Sequence, residues 1–310
     1  MQSRRTGPRS PGPRRLLAAG LLSLAGIPRA VAQSLEPRAY SPNPVGANFA
    51  LVAYAYQTGG VVFDASLPFS DVTADIHSGS LGYVRTFGLF GRTASAALAV
   101  PYVWGSVEGN VQEEFRRVTR SGFADLQSRL SVNLLGGPAL TPAEFAVRKP
   151  STALGFSFVA AAPTGEYFPD RLINIGSNRW AFKTELGLSQ PAGRWAFEAY
   201  AGTWFFTANN DFFGGQVRTQ KPVFAFQAHV SYTFRPRLWI AASATYYTGG
   251  ETSLDGVPRA DLQKNSRVSL TGSLPLGRRQ SLKLFYARGA TTSIGADFTT
   301  YSIAYQLLWF

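Results

Sequence analysis

The sequence contains no cysteine, and this absence excludes several classes of protein at once. Disulfide scaffolds, thiolate metal sites, cysteine nucleophiles and lipid-anchored lipoproteins all require that residue. Histidine occurs only twice, as His77 and His229, so a multi-histidine metal site is not expected either. The composition therefore predicts a protein without metal or other cofactor.

Charge and long hydrophobic runs are also scarce. Charged residues make up 15% of the chain, whereas about 25% is usual for soluble domains. No segment approaches the roughly 18 consecutive apolar residues of a transmembrane helix. Yet 45% of the residues are hydrophobic and 14% are aromatic, which excludes a disordered chain. These apolar residues must therefore alternate with polar ones.

Residues 1–32 have the composition of an export signal. Five arginines and no acidic residue precede an apolar stretch at 16–26, and the Ala-Val-Ala sequence that ends at Ala32 fits a cleavage site. A buried N-terminal helix is the alternative interpretation. Cleavage removes six arginines and lowers the net charge from +12 to +6. Nucleic-acid binding then loses its electrostatic basis, so no nucleic-acid partner is expected.

The rest of the chain alternates with the period of a β-strand. In its clearest segment, Phe224 and Phe226 share one face, whereas Gln227 and His229 share the other. The pattern predicts twelve strands, at 46–57, 76–88, 92–104, 122–135, 151–162, 177–188, 193–206, 221–234, 237–248, 264–275, 279–289 and 298–310.

Strand length and loop rhythm indicate a membrane barrel. The segments approach or exceed the roughly 9–11 residues of a tilted membrane strand, and soluble strands average about 5–6. Short links rich in glycine, proline and arginine mostly alternate with long polar loops; the link at 136–150 breaks this rule. We therefore predict an all-β fold, a transmembrane antiparallel β-barrel of about 12 strands with short periplasmic turns and long extracellular loops.

The two ends of the mature chain carry separate predictions. Three prolines favour irregular structure in residues 33–45, which we expect to form a periplasmic segment or a plug in the lumen. The barrel is expected to span residues 46–310. Its last residue, Phe310, fits an assembly signal for the barrel assembly machinery, although it falls out of register with the apolar face that ends at Trp309.

Several stretches resemble one family of outer-membrane proteins, labelled "MetA-pathway of phenol degradation". The matching sequences are RAYSPNPVGANF (38–49), FDASLPFSDV (63–72), LGYVRTFGLFGR (81–92), LINIGSNRWAFKTELG (172–187), DFFGG (211–215), SYTFRP (231–236) and ATYYTGG (244–250). The resemblance implies a β-barrel in the outer membrane of a Gram-negative bacterium and a role in the uptake of aromatic compounds. It supplies no catalytic residues.

The alternation also predicts which side chains line the lumen. The expected pore-lining residues are Asp125, Gln127, Arg129, Lys183, Glu185, Glu198, Gln227, His229, Arg267 and Lys283. A hydrophobic path is expected from Tyr200, Trp204, Phe206, Trp239, Tyr247 and Phe285. The charged set predicts either a lining that selects solutes or a lumen closed by ion pairs.

Three functions remain open at this level. The first is a channel or transporter for small solutes, among them aromatic or hydrophobic compounds. The second is a closed barrel with a structural or surface-interaction role. The third is a lipid-active enzyme, for which His229 and Ser231 form a weak base–nucleophile candidate; no other enzyme motif occurs, so we expect no catalysis. Expected partners are the solute, outer-membrane lipid and lipopolysaccharide.

Overall fold

The computed structural model describes residues 36–62, 69–111 and 114–310. The expected export signal lies outside this part of the chain. Long antiparallel strands dominate, and within the described residues the one helix is α1 (Pro142–Ala146). None of the helical residues in the described ranges forms a helix long and apolar enough to cross a membrane.

Seventeen strands are present among the described residues. In chain order they are β1 (Asn48–Val62), β2 (Phe69–Leu89), β3 (Arg92–Val111), β4 (Glu114–Phe123), β5 (Leu126–Leu135), β6 (Ala153–Ala162), β7 (Ala181–Ala192), β8 (Trp195–Phe206), β9 (Asn209–Phe212), β10 (Gln216–Gln220), β11 (Val223–Arg235), β12 (Leu238–Gly249), β13 (Thr252–Leu254), β14 (Val257–Pro258), β15 (Gln263–Pro275), β16 (Gln280–Thr291) and β17 (Gly295–Trp309).

The main sheet closes on itself. Strand β1 pairs with β2 on one side and with β17 on the other, in a register that runs from Asn48 opposite Trp309 to Val62 opposite Gly295. Strands β4 and β5 share one position in the wall, because they pair with different halves of β3. The result is a closed barrel with twelve strand positions, as the alternation predicts. Closure leaves no sheet edge unpaired in lipid.

The connections differ at the two ends of the barrel. Four tight turns, at 90–91, 193–194, 236–237 and 276–279, lie at the end of the barrel where β1 begins and β17 ends. The longer link at 136–152, which contains α1, lies at the same end. We identify this end as periplasmic, because outer-membrane barrels place their short turns there. The unusually long link that the sequence shows is therefore a periplasmic one.

Burial alternates along each strand. On β11, the side chain of Phe226 is 52% exposed, whereas Gln227 and His229 are 6% and 1% exposed. On β15, Leu270 is 62% exposed and Ser269 only 4%. The apolar row faces outward and the polar row faces the lumen. Lipid therefore solvates the outer row, whose burial in water-free hydrocarbon stabilises the inserted barrel.

Two features of the extracellular end were not predicted from the sequence. Strands β2 and β3 contain 21 and 20 residues, because their pairing continues well beyond the predicted segments. In addition, the two long loops after β8 and β12 form a second sheet of four strands, β9, β10, β13 and β14. This small sheet stands over the extracellular mouth, and we call it the cap sheet.

Candidate solute pathway through the barrel

The register places the predicted lining residues on the inner face, except for Asp125, which lies between β4 and β5 and outside the paired strands. Cross-strand partners share a face, and these residues form continuous inward rows with buried or half-buried side chains. The charged and polar members are Gln127, Arg129, Lys183, Glu185, Glu198, Gln227, His229, Arg267 and Lys283. The aromatic members are Tyr200, Trp204, Phe206, Trp239, Tyr247 and Phe285.

Glu185 is the centre of a charged network halfway along the lumen. Its carboxylate forms an ion pair with Lys183, two residues earlier on β7. Arg129 approaches the same carboxylate at 4.0 Å, and Gln227 donates a hydrogen bond to it at 3.0 Å. A buried carboxylate requires such partners, since an isolated one is strongly disfavoured. Part of the predicted lining therefore pairs internally.

The N-terminal segment, residues 36–45, runs inside the barrel. Val45 donates its backbone N–H to Leu140 in the periplasmic link, at 2.8 Å. Further along, the backbone N–H of Arg38 donates to Glu198 at 2.7 Å. The Arg38 guanidinium donates to Ser231 at 3.1 Å and to Thr233 at 2.6 Å, on the inner face of β11. Residues 36–45 therefore lie against the inner wall of the barrel.

Tyr40 anchors this segment in a socket on the inner wall. The side chain is 2% exposed, and its ring lies against Gly155 and Gly187, where a Cβ atom would come within 2.1 Å of it. The hydroxyl donates to Glu185 at 2.9 Å and pairs with Ser157 at 2.8 Å. Only glycine leaves room for the ring at these two positions.

Glu36 connects the segment to the charged network. Its carboxylate lies 3.0 Å from the Arg129 guanidinium. Enclosure within the barrel raises the pKa of Glu36, but the attraction of Arg129, Lys283 and Lys183 outweighs this effect and holds the pKa below its ordinary value. Glu36 is therefore a carboxylate at neutral pH.

Two cavities lie along the lumen beside this segment. The upper cavity has a volume of about 290 Å³, and the lower one, which we call the periplasmic vestibule, has about 460 Å³. Six residues line both cavities and mark the junction between them: Glu36, Ala39, Leu51, Val84, Ala97 and Arg129.

The walls of the upper cavity are unequal. On the β1–β3 side, small side chains line it, among them Ala53, Ser80, Gly82 and Ala99. On the opposite side, larger residues fill the space: Arg129, Lys183, Glu185, Tyr200, Trp204 and Gln227. Free volume in the lumen therefore follows the β1–β3 wall, past the charged network.

The β6–β7 loop covers the extracellular mouth. Ile173 is 4% exposed and packs with Ile76, Val107 and Phe298 on the inner face of the opposite wall. The preceding residue, Leu172, packs with Phe212 of the cap sheet. These contacts hold the loop across the opening.

Asp125 positions this loop. It was expected to line the pore, but it lies in the gap between β4 and β5 and its carboxylate accepts the backbone N–H groups of Gly165 and Ser177, each at 3.0 Å. The Ser177 hydroxyl donates to the same carboxylate. Gly165 and Gly176 approach so closely that a Cβ on either would lie within 2.9 Å of the other's backbone. Asp125 therefore closes the base of the loop instead of facing a solute.

Basic side chains gather beneath the cap sheet. Arg267 donates to the carbonyl of Phe298 at 2.9 Å, and Arg179 donates to Gln220. The guanidinium of Arg179 also stacks on the Phe206 ring, 4.6 Å from its centroid. Phe206 thus belongs to a cation–aromatic contact as well as to the predicted apolar row.

The geometry does not support the candidate enzyme pair. His229 pairs through Nδ1 with Ser243 at 2.8 Å, whereas Ser231 accepts a hydrogen bond from Arg38. Both His229 and Ser231 face the lumen and are at most 1% exposed, so bilayer lipid does not reach them. In the described ranges, no group of three or more His, Asp or Glu side chains is arranged to hold a metal ion.

Sequence reasoning did not find Arg38 and Tyr40 as lining residues. The hydrogen-bond partners of their side chains lie more than 100 positions away in the chain, and no local sequence pattern indicates such contacts. Two signals were present, since Gly155 and Gly187 interrupt the inward rows of β6 and β7. Paired glycines on neighbouring strands indicate a close approach, but not the residue that makes it.

Comparison with known proteins agrees with this geometry. A protein family described as "Putative MetA-pathway of phenol degradation" matches residues 53–293. The crystal structure of an outer-membrane channel from Pseudomonas putida F1 superposes with a TM-score of 0.73, at 21% identity, over 89% of this chain and 100% of the other. The transport unit of the autotransporter AIDA-I from Escherichia coli gives 0.50, at 10% identity, over 94% and 98%. No curated protein matches.

The likeness to the Pseudomonas putida channel shows the fold. The chain has the fold of an outer-membrane channel, and its place is the outer membrane of a Gram-negative bacterium.

Proposed function

Because the chain belongs to the outer-membrane family described as "Putative MetA-pathway of phenol degradation", we propose that it is a narrow channel for small solutes, aromatic and hydrophobic compounds among them. The observation that supports this function is the free volume along the β1–β3 wall. Two cavities there meet between the N-terminal segment and the small side chain of Ala97. A solute that follows this wall passes the charged network without displacing it.

The composition of the path suits weakly polar solutes. At the junction of the two cavities, Leu51, Val84 and Ala97 supply apolar surface, and Glu36 and Arg129 supply a charged pair. Pockets for small molecules combine mostly apolar walls with few polar groups. The sequence-based hydrophobic path continues upward along Tyr200 and Trp204, which line the upper cavity.

The bilayer and the assembly machinery are the proposed partners outside the lumen. The outward row of β17 ends at Trp309, and Phe310 follows it, 59% exposed. We assign the assembly signal to this aromatic terminus. The outward apolar face contacts lipid, and lipopolysaccharide forms the outer leaflet around the extended β2 and β3.

Planar-bilayer conductance of the refolded mature protein tests the channel. Heat-modifiable gel migration verifies that the sample is folded. We expect small, stable conductance steps, and we expect Ala97→Phe, which fills the junction, to abolish most of the current. Ala96→Phe is the matched control, because Ala96 pairs with outward Leu130 on the lipid side. Silence from folded wild-type protein would instead favour the closed barrel with a structural role.

A further inference from the structure

The periplasmic vestibule has an uneven balance of charge. Four basic side chains line it, and among the described residues one acidic side chain does so. The basic ones are Arg38, Arg129, Arg237 and Lys283, and the acidic one is Glu36. Glu36 is already paired with Arg129. Among the residues that the structure describes, no second carboxylate lines the cavity to balance the remaining positive charge.

Lys283 is the most available of these cations. It lies on the inner face of β16, where its cross-strand neighbours are Ser273 and Ala304. Within the described part of the chain, its ammonium group forms no hydrogen bond or ion pair, and its charge acts on Glu36, which is itself paired with Arg129. An ammonium group that lines a cavity and has no hydrogen-bond acceptor among the described residues is able to form a charge-assisted hydrogen bond with an anion.

Arg38 adds a second positive charge to the same cavity. Its guanidinium is held by the hydroxyls of Ser231 and Thr233 and by the ring of Trp239, 4.8 Å away. None of these partners carries a negative charge. Glu198 accepts the backbone N–H of Arg38 and attracts the guanidinium at longer range, but among the described contacts it forms no ion pair with it. Arg237, by contrast, is occupied with the backbone carbonyls of the 276–279 turn.

The rest of the vestibule is suited to a small ring. Apolar side chains of Phe49, Leu51 and Leu308 line it together with Trp239, and serine hydroxyls alternate with them. Its volume of about 460 Å³ lies within the usual range for small-molecule sites, roughly 300–1,000 Å³. Cations beside aromatic and aliphatic surface select a solute that has both a negative charge and an apolar body.

From this arrangement we infer that the vestibule binds small organic anions, and aromatic monocarboxylates in particular, through Lys283 and Arg38. This inference rests on the proposed channel and names the class of solute that it takes. A neutral phenol lacks the charge that these two residues recognise. An inorganic anion has the charge but gains nothing from the apolar wall.

Binding is tested without reference to conduction. Calorimetric titration of the folded protein in detergent with benzoate, and with benzyl alcohol as a neutral probe of similar size, measures recognition directly. We expect benzoate to bind at least tenfold more tightly than benzyl alcohol. Lys283→Gln should weaken benzoate binding about tenfold and leave benzyl alcohol unchanged. Lys264→Gln is the matched control, since the exposed Lys264 lies at the extracellular end of β15.

Conductance gives the second readout. In a salt gradient, the wild-type reversal potential should show preference for chloride over potassium, and Lys283→Glu should reverse that preference. Equal binding of benzoate and benzyl alcohol, or an unchanged benzoate affinity in Lys283→Gln, would overturn the inference. If benzyl alcohol enters liposomes through the protein while benzoate neither binds nor enters, the channel stands and the anion site fails. If neither solute enters and no current flows, the channel itself fails.

Discussion

The ring of Tyr40 stands edge-on to the ring of Tyr200, with centroids 5.0 Å apart and an interplanar angle of 85°. This contact joins the N-terminal segment to the inner row of β8, and edge-to-face pairs of this kind add about 0.5–1.5 kcal/mol beyond burial. Tyr40 also lies between two glycines and two hydrogen-bond partners. The segment is therefore fixed at one point more firmly than elsewhere, and that point decides how much of the lumen remains open.

Filling the socket of Tyr40 should release the N-terminal segment from the inner wall. In Gly187→Ala, the new Cβ would lie 2.1 Å from the Tyr40 ring and 2.8 Å from Tyr200. Overpacking of this kind costs about 1–3 kcal/mol, so we expect the Tyr40 ring to leave its site. Single-channel conductance should rise severalfold, and trypsin should cleave after Arg38 in the folded protein.

Gly272→Ala is the control for this substitution. Gly272 lies on the outward face of β15, and nothing stands within 4 Å of its Cβ position. Its conductance and trypsin pattern should match the wild type. Equal conductance in Gly187→Ala and wild type would show that Tyr40 does not limit the pathway.

The period-two pattern was sufficient to predict the wall of the barrel. The inward positions of Lys183, Gln227 and Lys283 follow from local alternation alone, because each strand has lipid on one side and the lumen on the other. The same rule predicted too short a β2 and β3. Beyond the membrane no hydrocarbon imposes the alternation, and β2 continues by pairing with β3 and by packing of Val72 and Ala74 in the cluster around Ile173.

Two features could not be predicted from the sequence, because they depend on contacts between residues far apart in the chain: the contacts of Asp125 and the cap sheet. Asp125 was predicted to line the pore, but it lies between β4 and β5, and its contacts are with Gly165 and Ser177, which are 40 and 52 positions away. The cap sheet was likewise missed, because its strands are short and lie in loops rich in turn-forming residues. Propensity gives little information about strands of two to five residues, whose stability comes from the partners they find.

The loop over the extracellular mouth should depend on Asp125. In Asp125→Ala, the backbone N–H groups of Gly165 and Ser177 lose their acceptor, and each unsatisfied buried donor costs about 1–3 kcal/mol. Local opening of the loop should become at least tenfold more frequent, since 1.4 kcal/mol corresponds to a factor of ten. Trypsin added to intact cells should then cleave after Arg171.

Asp170→Asn serves as the comparison. Asp170 is exposed in the same loop, and no hydrogen bond to its carboxylate is found among the described residues. Its cleavage rate should equal that of the wild type. If Asp125→Ala is cleaved no faster than Asp170→Asn, the carboxylate does not hold the loop.

The conductance of the channel should depend on pH, because protonation of Glu36 breaks its ion pair with Arg129. Because its pKa lies below the ordinary value, the ion pair with Arg129 is complete above about pH 4.3, the ordinary pKa of a glutamic acid. It is lost as the pH falls through the lowered pKa. The N-terminal segment then loses one attachment, so an acid titration of the current from pH 7 downward should show an increase below that pKa.

The variant Glu36→Gln isolates this response. It removes the charge at every pH, so its conductance at pH 7 should already be raised. Only the difference between wild type and Glu36→Gln reports on Glu36, and an identical pH profile in the two proteins would rule out this attachment.

The width of the junction between the two cavities should be set by Leu51. This side chain lines both cavities from the β1 side, opposite the N-terminal segment. Its size therefore limits the space through which a solute would pass. Leu51→Ala should therefore widen the junction and raise the permeability for benzyl alcohol in liposome swelling about two- to fivefold. Val52→Ala shortens the neighbouring outward side chain, which is 54% exposed to the lipid side, and should leave permeability unchanged. A lower permeability in Leu51→Ala would mean that the segment collapses into the vacated volume, and that the path is limited by Glu36 and Ala39 and not by the β1 wall.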